Sequence, residues 1–485
     1  MSTSLRIAKN TTLLSIGDII IKISSFIYLM FGPRYLGTFK WGALSTSLAF
    51  GAIFENFLEI GLNQLIIRDI ARNPELAPEY LFNTCWIRVV LGCISLIFVT
   101  IFSFLFFHTL LEIQTILILW ISNIFYIIAF SFYAIFQACE KMEFQSLGLI
   151  ISNTIINGGS ILLIFINADF ILITVIHPIA NGIMLVYCWM VAKKRFQIKY
   201  TAIQFHKWGK MLKISIHFFI GRFSTALYSY FSYLALSALH GSNSVALYDT
   251  ANRIVFLIIT FYSYLFNSFF PAMVKLKKDD KIDEFKQILD KIVRYLSSMS
   301  ILIAGSISIL ATFIISFLYG SKYEESILIL QILAWRLFFF AISSIYANLM
   351  YIFDQQRKWM IIVTTSSILS LISSLFFIQA FNIIGAAIIS LTTEALVSIL
   401  LIIFTKNKTG LINERILLKI ALLGTIAILF QFIPIPSIIT GICLFLVIII
   451  VLIFIMNLIS LREIIEGFKY IIGRIGKRHS PLPGG

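Results

Sequence analysis

Long uncharged apolar runs constrain this chain more than any other feature. Ile438 to Ile455 is 18 residues without a charge, a turn residue pair or a polar/apolar alternation. Strands of a membrane barrel alternate every second residue, so runs of this kind are helical spans. Fourteen such spans can be read, at roughly 13–31, 42–66, 86–107, 115–136, 147–166, 170–191, 214–239, 245–273, 292–318, 327–353, 359–380, 383–404, 417–433 and 438–460. About 14 helices of ~21 residues, each matched to a ~30 Å hydrocarbon core, use ~300 residues. That is close to the whole apolar share, since 59% of the 485 residues are hydrophobic. Charged residues make up 13%, about half the share of soluble domains. Disorder, a fibrous repeat and a soluble enzyme are excluded, and an all-α polytopic membrane protein remains. The first run carries Asp18 and Lys22 and has no small-residue cleavage site after it, so it is expected to stay as the first span.

The breaks between spans carry turn formers: Gly32-Pro33, Asn73-Pro74, Asn167-Ala168-Asp169, Gly241-Ser242-Asn243, Gly320-Ser321 and Pro434-Ile435-Pro436. They also sort the cations. Of 38 Lys and Arg, 28 fall in one alternate set of breaks and termini, and 3 (Arg34, Lys40, Lys322) in the other. Basic residues stay on the cytoplasmic side, so both termini are expected there, in the cell inner membrane. One miscounted span would scramble this asymmetry downstream of the error. Net charge is +15, yet its placement argues for topology and against nucleic acid as a partner.

No Walker A motif, Rossmann fingerprint, HExxH or nucleophile elbow occurs, so no enzyme module and no cofactor is expected. The five cysteines are scattered through apolar segments without a CxxC and mark neither a disulfide framework nor a metal site. A membrane glycosyltransferase or polymerase would carry a sizeable surface loop or an acidic surface motif. A bundle with short loops can transport.

The basic break 192–213 falls after six spans and reads as the seam of an internal duplication. At an offset of 204 residues, Lys9, Gly17 and Gly37 match Lys213, Gly221 and Gly241. Phe136–Lys141 and Ile352–Arg357 each open a short polar break before the fifth span of their half. The expected organisation is an N-terminal six-span lobe (1–191), a basic cytoplasmic linker (192–213), a C-terminal six-span lobe (214–404), spans 13 and 14 (405–460) and a tail (461–485). In the tail Ile464, Ile465, Phe468, Ile472 and Ile475 share a helical face apart from Arg462, Lys469 and Arg474, as in an amphipathic helix on an anionic leaflet. Repeats of this kind are typical of secondary transporters, whose site lies where the repeats meet.

Ionisable groups inside spans are costly and therefore functional candidates. Asp18 and Lys22 stand at i, i+4 in span 1, either as a self-neutralising pair or with Lys22 facing a watery cavity. Glu55 and Glu59 stand at i, i+4 in span 2, where like charges repel. They need a cation from elsewhere, Lys22 being nearest in sequence, or they bind protons. Arg222 lies in span 7, Arg253 in span 8 and Arg336 in span 10. Glu394, mid-span in span 12, is either a partner for Arg336 or a proton or sodium site. Arg88 and Arg294 lie near the cytoplasmic ends of their spans, where simple snorkelling accounts for them.

Ala8–Thr11, Pro33–Gly37, Glu59–Asn63 and Ile67–Asn73, followed by Leu247–Arg253 and Phe270–Ala272, resemble in order and spacing the O-antigen and capsular polysaccharide repeat-unit flippases. These belong to the multidrug/oligosaccharidyl-lipid/polysaccharide exporter superfamily. The resemblance spans the first twelve spans and implies two six-helix halves of the MATE-like fold plus two extra C-terminal helices. It departs late in span 7, where the family often has an acidic residue and this chain has Ser232-Tyr233-Leu234. It implies a central cavity lined mainly by spans 1, 2, 7 and 8, the spans that hold Lys22, Glu55, Glu59, Arg222 and Arg253. It also implies a polyprenyl-diphosphate-linked glycan substrate, with Lys22, Arg222 and Arg253 on the diphosphate and Glu55, Glu59, Asp18 and Glu394 as ion-coupling groups. Implied partners are membrane lipids, a proton or sodium counter-ion, and polysaccharide polymerase and chain-length proteins. A cation-coupled multidrug exporter and a lipid II flippase of the same superfamily are the alternatives.

Overall fold

The computed structural model describes the backbone of residues 3–107, 109–433, 437–460 and 463, and side chains from residue 21 onward with a few exceptions within helices. The described residues form fifteen α-helices: α1 (Thr3–Glu59), α2 (Leu62–Arg72), α3 (Ala77–Phe106), α4 (Leu110–Ala138), α5 (Met142–Phe165), α6 (Phe170–Arg195), α7 (Phe205–His240), α8 (Ser242–Lys278), α9 (Ile282–Ile309), α10 (Ala311–Tyr319), α11 (Ser326–Ala334), α12 (Arg336–Ile352), α13 (Gln356–Thr409), α14 (Glu414–Phe430) and α15 (Ile438–Ile455). There is no strand among them. Nine stretches of the described residues are long and apolar enough to cross a membrane. One of these, Gln356–Asn407, has 52 residues and breaks at Asn382 (φ 50°), so it has length for two crossings. On α3, Ile97, Phe98, Ile101, Phe104 and Leu105 are all more than half exposed. Water would not tolerate that face, and hydrocarbon does; the protein is a multi-pass membrane protein.

The break in α1 is not at Gly32-Pro33 as the sequence suggests. Pro33 stays inside the helix and the chain turns at Gly37, with φ 72° and ψ 175°. An L side chain rarely adopts that conformation, whereas proline still fits helical φ. Gly241, its counterpart 204 residues later, caps α7 with φ 78° and ψ 174°. The second pair of repeat-matched breaks also agrees. Glu140 (φ 56°) and Asp354 (φ 54°) each end a helix in the left-handed region. In each, the next N–H closes onto the carbonyl five residues back, Lys141 on Phe136 at 2.8 Å and Gln355 on Met350 at 2.7 Å. These are Schellman closures, and the same closure ends helices at Asn167, Asp280 and Asn457.

The chain divides into two compact units. The first comprises Met1–Thr250, Ile315–Ser326 and Val363–Ile389; the second comprises Ala251–Ile314, Ile327–Ile362 and Ser390–Gly485. In the first unit α4 is the central helix, packed on α1, α3 and α6. Its Phe132, Tyr133 and Phe136 bury with Ile66, Ile70, Met184 and Cys188. Farther along, Trp120 and Ile116 bury with Phe50 and Val99. In the second unit α9 packs against α12, α14 and α15. Gly305 lets Phe445 of α15 approach: an added Cβ would lie 2.0 Å from the ring.

Candidate functional site

Two helix ends and a long arginine build the central feature of the first unit. α1 ends at Glu59, and Ile60 (φ 42°) and Gly61 (φ 78°) reverse the chain into α2. The reversal brings the N–H groups of Gly61 and Asn63 onto the Glu59 carboxylate at 2.8 and 3.0 Å. These are donors that a helix start leaves without intrahelical acceptors, so the Glu59 carboxylate caps α2. Glu59 is buried at 2% exposure and needs a cation. It receives Arg222 of α7, whose Nη1 lies 3.0 Å from Oε2. Arg222 is 41% exposed, so one side of the pair is fixed and the other is open. Phe219 and Phe223, flanking Arg222 on α7, pack on Phe57 of α1 at centroid distances of 5.1 and 4.9 Å. Glu55, half-buried one turn back on α1, lies within electrostatic range of Arg222 and Glu59. Arg222, Glu59 and Glu55 are thus brought together, and the cation seen on Glu59 comes from α7.

Arg88 continues the network. It is fully buried on α3. It donates to Asn63 Oδ1 at 2.8 Å, to the Ile127 carbonyl at 2.8 Å and to Ser131 Oγ. Snorkelling is the wrong account of this residue: its head group points into α4 and braces the Glu59 turn through Asn63. Arg294 does not simply snorkel either. It binds the Leu458 carbonyl and Glu463, both at 3.1 Å. Burial opposes the Glu463 charge, but the Ser460 N–H and hydroxyl and Arg294 outweigh it and hold the carboxyl below its usual range. At the foot of α2, beyond the apolar spans, Asp69 is treated alike. Burial disfavours its charge, and Arg68 and Tyr80, each at 2.7 Å, more than compensate and lower its carboxyl.

A second cluster in the first unit surrounds Asp249 of α8, which is 1% exposed. Trp41 Nε1 and Ser45 Oγ of α1 donate to it at 2.9 and 2.8 Å, and Tyr233 of α7 at 3.0 Å. Nearby Thr38 donates to Asn243 at 2.8 Å, and Ser242 to Glu112, the capping-box acid of α4. Gly42 makes the approach fit: a Cβ there would fall 1.7 Å from the Ser242 carbonyl oxygen. Ser45 and Asp249 are 204 residues apart, the same spacing as Gly37 and Gly241. In sequence Asp249 stands out only as part of Leu247–Arg253. An acid within an apolar run was the available signal. Tyr233, beside Ser232 on α7, is one of its donors.

In the second unit Glu394 is buried and holds Arg336 at 3.3 Å and Ser343 Oγ at 2.7 Å. Of the two readings open for Glu394, the geometry shows the ion pair. Arg253 lies half-buried on α8 in this unit. Lys22 is half-buried on α1 in the first unit. The side chain of Asp18 and the amphipathic tail beyond Glu463 lie outside the described residues.

Residues 7–277 match the polysaccharide biosynthesis protein family. A candidate O-antigen transporter of Escherichia coli (strain K12) is 23% identical over 404 residues, covering 81% of this chain and 94% of its own. The capsular polysaccharide biosynthesis protein CapF of Staphylococcus aureus is 25% identical over 342 residues, covering 68% and 82%. Among solved structures, the lipid II flippase MurJ in an inward closed conformation matches with a TM-score of 0.75 at 18% identity, over 94% of this chain and all of that one. An inward-facing multidrug resistance MATE family transporter of the MOP superfamily matches at 0.66 and 12% identity, over 83% and 98%. These likenesses give the fold, that of the MurJ and MATE transporters. The family match covers more than half of the chain, which therefore belongs to the polysaccharide biosynthesis protein family.

Proposed function

We propose that this protein is a flippase that carries polyprenyl-diphosphate-linked oligosaccharide repeat units across the cytoplasmic membrane by alternating access, for surface polysaccharide assembly. It is a transporter and not an enzyme. The observation that carries the reading is the Arg222–Glu59 pair. A buried carboxylate fixed by two backbone N–H groups holds an arginine that remains 41% exposed. A guanidinium has five N–H donors in a fixed fork, and a diphosphate takes such forks in pairs. Arg222 is therefore held ready and has donors left for an anion. Lys22 and Arg253 are the other two cations proposed for the diphosphate. Family membership and the E. coli and S. aureus relatives support the substrate class. A multidrug exporter would prefer an acidic, aromatic cavity.

The carboxylates Glu55, Glu59, Asp18 and Glu394 are the proposed coupling groups. Glu394 would have to give up Arg336 to serve. Glu59 holds the guanidinium and Glu55 lies only within its electrostatic range, so one of the two acids is expected to exchange a proton or a sodium ion during transport. Transport in vesicles should respond to an imposed proton or sodium gradient. Replacing both by Gln should remove that response; an unchanged rate and gradient dependence would make the pair purely structural.

The lobes 1–191 and 214–404, fourteen spans and cytoplasmic termini belong to the same reading. Reporter fusions at Gly241-Ser242 should read outside and at Lys277-Lys278 inside. The reverse result would overturn the topology.

A further inference from the structure

The break 192–213 carries seven Lys and Arg and no carboxylate. The other long basic break, 274–291, sets six cations against five carboxylates. Sorting of cations across the membrane is met by either pattern, so the acid-free run needs a further reason. Among the described residues Lys207 pairs with Glu79. Lys193, Lys194, Arg195, Lys199, Lys210 and Lys213 are all exposed and form no salt bridge there.

The segment is not a loose tether. Phe196 stacks on Phe136 of α4 at 5.2 Å, and Ile198 is buried in the core of Phe132 and Cys188. Asn83 of α3 accepts from the Gln204 N–H and the Trp208 indole N–H, both at 2.9 Å. Fixing a chain in this way costs conformational entropy that a mere connection between two lobes does not require. Its rings show which way the surface faces. Trp189 is 42% exposed on α6, a membrane-spanning helix, so its free face meets lipid. Phe82 touches both Trp189 and Tyr200, at centroid distances of 6.1 and 5.0 Å. Tyr200, 70% exposed, therefore continues the lipid-facing side of α6. Phe205, at the start of α7, is 68% exposed. Tryptophan and tyrosine gather at the bilayer surface, and clusters of about four to eight cations beside a span attract anionic lipid there.

We propose that segment 192–213 is a docking surface for anionic phospholipid. Trp189, Tyr200 and Phe205 sit at headgroup level, and the exposed cations lie on the phosphates of that leaflet. An acidic protein or a nucleic acid would also meet the charge, but Tyr200 adjoins the lipid face of α6, where neither reaches. The surface goes beyond the transport reading and does not rest on it.

The test compares three full-length proteins by native mass spectrometry, each delipidated and titrated with dioleoyl phosphatidylglycerol or dioleoyl phosphatidylcholine, whose acyl chains are identical. One is unaltered. The second carries Lys193→Gln, Lys194→Gln, Arg195→Gln and Lys199→Gln. The third loses the same charge through Lys275→Gln, Lys278→Gln, Lys281→Gln and Lys286→Gln. A cation near an anionic leaflet is worth about fivefold in affinity. The unaltered protein should prefer phosphatidylglycerol, the second should lose at least about tenfold of that preference, and the third should keep it. The basic tail is the same in all three, so a loss confined to the second belongs to 192–213. Equal binding of the two lipids by the unaltered protein, an unchanged preference in the second, or an equal loss in the third would overturn the proposal. A further measurement leaves every charge in place: Tyr200→p-benzoylphenylalanine, irradiated in native membranes, should label phospholipid. Absence of lipid adducts, whatever else is labelled, would equally overturn it.

Discussion

Arg222→Gln should abolish or severely reduce surface glycan while the protein stays in the membrane. Two losses combine. Each charge-assisted contact to phosphate is worth roughly 1.5–3 kcal/mol, or about ten- to a hundred-fold in affinity. Glu59 also loses its guanidinium, 3.0 Å away, though the Gly61 and Asn63 N–H groups still hold it and the α1–α2 turn. The fold should therefore survive better than the transport. Arg222→Lys should do less harm, because it keeps the charge and loses the fork. Arg222→Gln with Glu59→Gln relieves the unpaired acid, so its protein level should be at least that of Arg222→Gln, while export stays lost because both groups serve transport. Membrane immunoblots beside glycan staining read both quantities. Normal glycan at normal protein level in Arg222→Gln and in Arg253→Gln would remove the basic site from the mechanism.

Arg88→Gln should act in the opposite way, on the protein and not on the chemistry. Arg88 is fully buried and satisfies Asn63, the Ile127 carbonyl and Ser131 together. Removing the guanidinium leaves buried acceptors on Asn63 and Ser131 short of a donor, at about 1–3 kcal/mol each. That is a large share of a marginal stability, so the level in membranes and the midpoint of thermal unfolding in detergent should both fall sharply. Transport per surviving molecule should stay closer to normal than in Arg222→Gln. Arg294→Gln, which loses a half-buried contact to Glu463 near the end of the described chain, should cost less. Equal stability of Arg88→Gln and the unaltered protein would contradict the bracing role.

The fold was largely readable because hydrophobic length and charge placement act locally. Asn382 breaks α13 between the two spans assigned there, and Gly241 ends α7 where the turn residues lie. The Gly37–Gly241 pairing showed in sequence as two glycines and in structure as one backbone conformation. What was misread depends on which side of a helix finds a partner. Arg88 is near a span end in sequence, and nothing local tells whether such a side chain turns outward to the surface or inward onto α4. Proline disfavours helix interiors, which makes Pro33 look like a break in sequence, yet Gly37, four residues on, is the position able to turn. Glu59 was seen to need a cation. That the cation is Arg222, 163 positions along, is a tertiary fact that spacing does not encode. Asp249 was hidden for the same reason, since its donors come from Trp41, Ser45 and Tyr233 on two other helices.

Purified protein in vesicles that carry a polyprenyl-diphosphate-linked oligosaccharide provides the most direct test. An enzyme or lectin acting only outside reads how much substrate has crossed. The account predicts protein-dependent crossing without ATP, and its loss in Arg222→Gln at equal reconstitution. Crossing no faster than in protein-free vesicles, or undiminished in Arg222→Gln, would contradict it.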